Sequence, residues 1–127
     1  MDAMSPKKIL VIDDDDFVRG MVCNALRKEN FLVEEAQNGN EGVSKSRSFK
    51  PEVVITDMLM PDKEGIETIL EIKAVNKDIK VIAMSGGGAS KNMTFLEMAK
   101  KVGAEQVLSK PFKPSAMIEA IRSVLSS

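Results

Sequence analysis

Three aspartates, a serine and a lysine each follow a short apolar run in this sequence, and together these side chains could bind a metal ion and a phosphoryl group. They are Asp13, Asp14, Asp57, Ser85 and Lys110. Short apolar runs bounded by turn residues are typical of strands buried in parallel sheets. The carboxyl ends of such strands meet at one edge, where open α/β sheets bind their ligands. We therefore expect the five side chains to form one site.

The predicted site has a charge problem that a cation must solve. At roughly 4 Å and an effective dielectric constant of about 20, each pair of carboxylates repels by about 4 kcal/mol. Lys110 offers one positive charge and a divalent ion offers two. Because the ligands are all oxygens, the site favours Mg²⁺, or Mn²⁺ in its place, over zinc or copper. Beside such a metal, an aspartate could act as the nucleophile toward phosphorus, with Lys110 and Ser85 contacting the other phosphoryl oxygens.

Each of these residues also has an ordinary structural explanation when it is taken alone. Asp57 could cap a turn, and residues 13–16 (Asp-Asp-Asp-Asp) could be the solvated start of a helix. Ser85 could be a turn residue and Lys110 a surface lysine. Their occurrence at equivalent strand ends favours the common site.

The composition excludes several classes of function. The chain has 127 residues, which suits one domain, and its net charge of −1 gives non-specific nucleic-acid binding no electrostatic support. It has no histidine, which excludes Ser-His-Asp and Cys-His catalysis and histidine-bearing metal sites. Cys23 is the only cysteine, so no internal disulfide can form, and we interpret it as a helix residue rather than a nucleophile. We expect a cytoplasmic protein with no membrane span and no secretory leader.

The hydrophobic pattern predicts five strands that alternate with five helices. We expect strands near 9–12, 31–36, 53–57, 79–84 and 105–109, with a helix after each. Asp15 or Asp16 should cap the first helix, whose apolar residues at 17/21/25 and 18/22/26 form one stripe, and Gly103 should cap the fourth. Strict alternation predicts a parallel sheet with helices on both faces. The strand order cannot be deduced from the pattern, although 2-1-3-4-5 is common.

At these residues the chain resembles the receiver domains of two-component response regulators. The matching segments are Asp13-Asp14 with Arg19, Asp57-Met58-Leu59-Met60-Pro61 with Gly65, Ser85-Gly86 and Lys110-Pro111-Phe112. The resemblance implies a flavodoxin-like doubly wound fold with strand order 2-1-3-4-5. It makes residues 7–127 the receiver domain and leaves residues 1–6 as a flexible tail.

The resemblance also implies a function for each site residue. Asp57 would accept a phosphoryl group from a sensor histidine kinase or a histidine phosphotransfer protein. Asp13, Asp14, Asp57 and the Leu59 backbone carbonyl would serve Mg²⁺, some of them through water. Ser85 would move toward the aspartyl phosphate. Lys110 would be aimed at Asp57 by a cis peptide bond to Pro111.

The implied protein is a signalling switch and not an enzyme acting on other substrates. It would catalyse only its own phosphorylation and dephosphorylation, and the surface of the fourth helix, fifth strand and fifth helix would regulate a downstream protein, as in chemotaxis-type regulators. We expect a monomer or a weak phosphorylation-dependent dimer. Val107 replaces the aromatic residue of many receivers. Leu59 and Gly87 lack polar groups that could orient an attacking water.

Three alternatives remain at this point. Asp13-x-Asp15 after a strand superficially resembles the haloacid-dehalogenase phosphatase nucleophile, although Phe17 replaces that family's usual Thr or Val. A flavodoxin would need Ser, Thr and Gly after the first strand, where this chain has four acids. The third alternative is a receiver that no longer accepts phosphoryl groups.

Overall fold

A computed structural model describes residues 6–58, 65–85 and 93–126, with the backbone alone at 93–96. Strands and helices alternate along it, which confirms the predicted alternation. The strands are β1 (Lys8–Ile12), β2 (Leu32–Ala36), β3 (Val53–Asp57), β4 (Lys80–Ser85) and β5 (Gln106–Ser109). The helices are α1 (Asp16–Lys28), α2 (Gly39–Phe49), α3 (Gly65–Val75), α4 (Met93–Lys101) and α5 (Pro114–Leu125).

The five strands form one parallel sheet in the order β2-β1-β3-β4-β5. This confirms the flavodoxin-like doubly wound fold. Every residue of the central strand β3 is buried, because helices cover both faces of the sheet. One hydrophobic cluster joins α1 and α5 to one face, and a second joins α2, α3 and α4 to the other. The apolar runs thus become a rigid sheet whose carboxyl edge holds the polar residues.

Side chains at the amino ends of α1 and α2 fix where these helices begin. Asp15 is the N-cap of α1, and its carboxylate accepts hydrogen bonds from the backbone amides of Phe17 and Val18. Asn38 caps α2 in the same way through the amide of Glu41. Such caps satisfy amides that have no partner within the helix. The predicted cap at Asp15 is therefore confirmed, and it anchors α1 directly behind the acidic pair.

The predicted apolar stripe of α1 is wrong at two positions, Phe17 and Met21. The row at 18/22/26 packs on the sheet together with Cys23. In the other row Phe17 is 79% exposed and Met21 is 40% exposed. Both rows have helical spacing, but Cys23 lies on the opposite side of Val22 from Met21. Ala25 still packs against the cluster, so the buried face turns toward Cys23 and leaves Phe17 and Met21 exposed.

Gly65 permits a close approach between the start of α3 and the end of β3. A Cβ atom built at Gly65 would lie 2.5 Å from the Met58 Cα and 3.0 Å from the Asp57 carbonyl oxygen. The Gly65 amide also donates to the Met58 carbonyl at 3.0 Å. In the sequence Gly65 follows Pro61, and a glycine at this position predicts a tight loop. In the structure it is the first residue of α3, and it is needed because no side chain fits against the Met58 backbone.

We expect Gly65→Ala to lower the free energy of unfolding by about 2 kcal/mol, because overpacking against backbone forces the chain to shift. Gly20→Ala is the matched control, since nothing lies within 4 Å of a Cβ at this α1 position. It should raise stability by up to about 1 kcal/mol through helix propensity. Urea unfolding of the two variants measures both effects. A Gly65→Ala protein as stable as the wild type would show that the approach is not tight.

Candidate functional site

Strand register places Asp13 beside Asp57. Ile12 of β1 pairs with Thr56 of β3, and the residue that follows each of them is an aspartate. The Asp13 amide donates to the Ala36 carbonyl at 3.1 Å, which extends the pairing with β2 by one residue. The apolar residues of both strands fix this register through their burial. The pairing register of β1 and β3 therefore makes the two aspartates neighbours.

The same register brings Ser85 and Lys110 to this edge. Asp57 pairs with Met84 of β4, and Ser85 is the next residue and the last of its strand. Ser85 is 1% exposed, and its carbonyl accepts a hydrogen bond from the Lys110 amide at 2.7 Å. The peptide bond between Lys110 and Pro111 is cis, which confirms that prediction. Both residues thus lie at the strand ends where the sequence predicted them.

The three aspartates form a cluster suited to a hard cation. Asp13, Asp14 and Asp57 each offer a carboxylate oxygen, and these oxygens lie within 4.8 Å of one another. Asp13 is 0% exposed and Asp57 is 6% exposed, whereas Asp14 is exposed. Two buried carboxylates and one accessible to solvent provide an all-oxygen ligand set with an open side. This donor set fits Mg²⁺, which prefers few carboxylates and retains water.

Lys110 bridges the two buried carboxylates. Its Nζ lies 2.9 Å from Asp13 Oδ2 and 3.5 Å from Asp57 Oδ1, and the side chain is 19% exposed. Burial lowers the pKa of Lys110, but the hydrogen bond that it donates to Asp13 and the charges of Asp57 and Asp13 outweigh burial, so the pKa is raised. The sequence predicted an ammonium aimed at Asp57. The structure places it nearer to Asp13, since one lysine serves both acids.

Asp13 is held by four hydrogen bonds. Its Oδ1 accepts from the Asp15 amide at 3.0 Å and its Oδ2 accepts from Lys110. Its amide donates to β2, and its carbonyl accepts from Arg19 Nη1 at 2.7 Å. Asp13 is therefore fixed in both backbone and side chain, whereas its exposed neighbour Asp14 can reach solvent.

Sequence reasoning included Arg19 in the resemblance but assigned it no role. Arg19 contacts Asp16 and Glu35 as well as the Asp13 carbonyl, and its side chain is 12% exposed. Burial lowers the pKa of Arg19, but these two carboxylates outweigh burial and raise it. The spacing of three residues from Asp16 is a helical ion-pair signal that the sequence did contain. The contact with Glu35 on β2 had no such signal.

Some predicted features lie outside the described residues, and one departure from the family pattern lies within them. Leu59, Gly86 and Gly87 are outside, as are the first five residues of the predicted tail. Val107 is half-buried in β5, where it packs against the cluster beneath α2, α3 and α4.

Cys23 is a helix residue of the core, as predicted. It is 0% exposed, and burial raises its pKa to about 11. A thiol of that pKa is almost fully protonated at neutral pH, so it is a poor nucleophile. Of the helices in the described part of the chain, none is long and apolar enough to cross a membrane.

Asp14→Ala should raise the metal-free melting temperature, because it removes one member of the repelling carboxylate set. We expect an increase of roughly 3 °C, measured by calorimetry in the presence of a chelator. The same change should weaken Mg²⁺ binding by about tenfold, or 1.4 kcal/mol. Asp78→Ala, an exposed acid beyond the amino edge of the sheet, is the control. A lower metal-free melting temperature with unchanged Mg²⁺ affinity would show that Asp14 is not part of the cluster.

Comparison with known proteins agrees with this geometry. Residues 9–122 match the family model of the response regulator receiver domain. The chain is 36% identical over 119 residues to the chemotaxis protein CheY of Thermotoga maritima, covering 93% of this chain and 97% of that one. It is 32% identical over 121 residues to CheY of Halobacterium salinarum, with 95% and 98% covered. The crystal structure of a CheY-like receiver domain protein from Methanospirillum hungatei JF-1 superimposes with a TM-score of 0.87, at 27% identity over 96% of this chain and 95% of that one.

Proposed function

We propose that this chain, which belongs to the family of response regulator receiver domains, is switched by phosphorylation of Asp57. Receiver domains act as phosphoacceptor switches in two-component signalling and are not enzymes in the conventional sense. One observation carries the assignment to Asp57. This aspartate ends the central buried strand, in a carboxylate cluster with Asp13 and Asp14 and 3.5 Å from the Lys110 ammonium.

The chemistry is nucleophilic attack by an Asp57 carboxylate oxygen on the phosphorus of a phosphohistidine. A new P–O bond forms as the P–N bond breaks, and the departing imidazole nitrogen takes the electron pair. Asp13 is a poor candidate for this role, because both of its carboxylate oxygens already accept hydrogen bonds and it is 0% exposed. Asp14 is exposed, so hydration stabilises its charge and weakens it as a nucleophile.

Asp13, Asp14 and Asp57 are the residues that would hold Mg²⁺. When bound, the ion neutralises charge on the phosphoryl oxygens. The Lys110 ammonium would donate a hydrogen bond to one of those oxygens and offset the negative charge that the phosphoryl group brings to Asp57. We assign the Leu59 backbone carbonyl to the metal and the Ser85 hydroxyl to the phosphoryl group, in line with the family resemblance.

The partners follow from the chemistry of the donor and from the position of β5. A sensor histidine kinase or a histidine phosphotransfer protein would supply the phosphoryl group. The hydrogen bond from the Lys110 amide to the Ser85 carbonyl joins the site to β5. A change at Asp57 therefore has a path to the surface of α4, β5 and α5, which would bind a downstream protein. The cytoplasmic location and the monomeric or weakly dimeric state remain predictions.

The phosphatase and flavodoxin alternatives receive no support from the site. A phosphatase of the haloacid-dehalogenase type would need Asp13 as its nucleophile, and this carboxylate is buried, with both of its oxygens accepting hydrogen bonds. A flavodoxin would place a phosphate where Asp13, Asp14 and Asp15 stand. Like charges would oppose that ligand.

Acetyl phosphate tests the proposal, because it can donate without a kinase. With Mg²⁺ present, the mass of the intact protein should rise by one phosphoryl group as the P–O bond to acetate breaks. With a chelator in place of Mg²⁺, the gain should disappear. Equal labelling with and without the metal would contradict a metal-dependent acceptor site.

A further inference from the structure

We propose that Arg19 is a positioning residue that sets the direction of the Asp14 carboxylate by clamping the peptide unit between Asp13 and Asp14. The inference rests on the proposed magnesium-dependent function. Arg19 touches no reacting atom, so its effect on the site would pass through the backbone.

The contacts of the Arg19 guanidinium define the clamp. Nη1 donates to the Asp13 carbonyl at 2.7 Å, Nε pairs with Glu35 Oε1 at 3.1 Å, and Nη2 pairs with Asp16. The three acceptors belong to the β1–α1 loop, to β2 and to the first turn of α1. One planar group therefore ties the loop to a strand on one side and to a helix on the other. Lysine cannot make such a three-point fork with a single ammonium.

The clamped carbonyl belongs to the peptide plane that leads into Asp14. The Asp13 side chain is fixed independently through the Asp15 amide and Lys110. Asp14 itself is exposed. Its direction therefore depends on the peptide plane before it, and the Arg19 hydrogen bond is the contact that fixes the carbonyl of that plane.

An effect of charge alone and an effect of the clamp would change Mg²⁺ binding in opposite directions when Arg19 is removed. Asp16 and Glu35 already balance the guanidinium, so it is not the counterion of the carboxylate cluster. Without Arg19 both carboxylates lose this partner, although Glu35 keeps Arg27, so the surroundings of the site become more negative. If only charge mattered, Mg²⁺ would then bind more tightly. If the clamp matters, Mg²⁺ should bind more weakly.

The experiment is a titration of Mg²⁺ into the whole protein by calorimetry. Arg19→Gln should weaken Mg²⁺ binding by about tenfold, the usual effect of losing a partner that orients a ligand. Arg27→Gln is the matched control, because Arg27 pairs with the other oxygen of Glu35 but is not a partner of the Asp13 carbonyl. The Mg²⁺ affinity of Arg27→Gln should stay within about twofold of that of the wild type. An Arg19→Gln protein that binds Mg²⁺ as tightly as the wild type, or more tightly, would overturn the proposal.

Arg19→Lys is the second variant, and it guards against a glutamine variant that does not fold. It keeps the charge but not the fork, so its affinity should lie below that of the wild type. Wild-type affinity in Arg19→Lys would overturn the proposal, because charge would then suffice.

Amide hydrogen exchange without metal separates this inference from the proposed function. The Asp15 amide, which donates to Asp13 Oδ1, should exchange about tenfold faster in Arg19→Gln than in Arg27→Gln, as expected for the loss of one charge-assisted hydrogen bond. Equal exchange in the two variants would overturn the clamp even if Mg²⁺ binds. A wild type that binds no Mg²⁺ would contradict the proposed function, and the exchange rates would still decide whether Arg19 holds the loop.

Discussion

Replacing Lys110 by methionine should lower the free energy of unfolding by about 3 kcal/mol at pH 7 without metal, which is the usual size for breaking a buried ion pair. Methionine keeps the unbranched shape of the side chain but removes the charge. Asp13 and Asp57 would then remain buried at 0% and 6% exposure without the ammonium that lies 2.9 Å and 3.5 Å from their oxygens. Urea unfolding in the presence of a chelator measures the loss.

The pH dependence of this loss follows from the raised pKa of Lys110. A group whose pKa is higher in the folded state than in the unfolded state stabilises the fold fully below its unfolded pKa, which is 10.5 for lysine. That contribution disappears as the pH rises through the folded-state pKa, which lies above 10.5. The difference in stability between wild type and Lys110→Met should therefore be constant near neutral pH and shrink above about pH 10.5.

Magnesium should reduce the damage done by this substitution. The ion would replace the missing positive charge, so Lys110→Met should gain more stability from Mg²⁺ than the wild type does. A ligand at 100 times its dissociation constant contributes about 2.7 kcal/mol. Lys113→Met is the control, because Lys113 is exposed and lies just before α5. A Lys110→Met protein as stable as this control would show that Lys110 does not compensate the buried acids.

The sheet could be predicted from the sequence because its strands are buried on both faces. A continuous apolar run such as residues 53–55, bounded by turn residues, is typical of a strand buried in a parallel sheet. The buried faces of the helices could be predicted less fully, and α1 shows why. Helical spacing marked two adjacent rows as apolar, but only packing against the sheet decides which row is buried. Cys23 completed the buried face, and Phe17 was left in solvent.

The identities of the site residues could be predicted from the sequence more fully than the distances between their side chains. Parallel register brings strand ends together, so the positions of Asp13, Asp57, Ser85 and Lys110 along the edge followed from the strands alone. The conformation of a long side chain cannot be predicted from the sequence. In the structure the Lys110 ammonium lies nearer to Asp13 than to Asp57. Contacts between distant segments, such as Arg19 with Glu35, depend on the fold and leave no local pattern.

Close contacts between backbone segments were the other feature that could not be predicted from the sequence. Gly65 indicated a tight loop, because glycine is the residue that tight turns most often require. Its actual role depends on Met58, seven residues earlier, whose Cα would lie 2.5 Å from any Cβ at this position. Only the position of the start of α3 against the end of β3 reveals that constraint.

The most direct test of the account is the phosphorylation of Asp57→Asn. The asparagine side chain has nearly the same shape but is not a nucleophile, so acetyl phosphate with Mg²⁺ should add no mass to this variant. Asp78→Asn, which changes an exposed acid beyond the opposite edge of the sheet, should gain one phosphoryl group as the wild type does. In the wild type, borohydride reduction followed by peptide sequencing should place the modified residue at position 57. Labelling of Asp57→Asn to the level of the wild type would contradict the assignment of Asp57 as the acceptor.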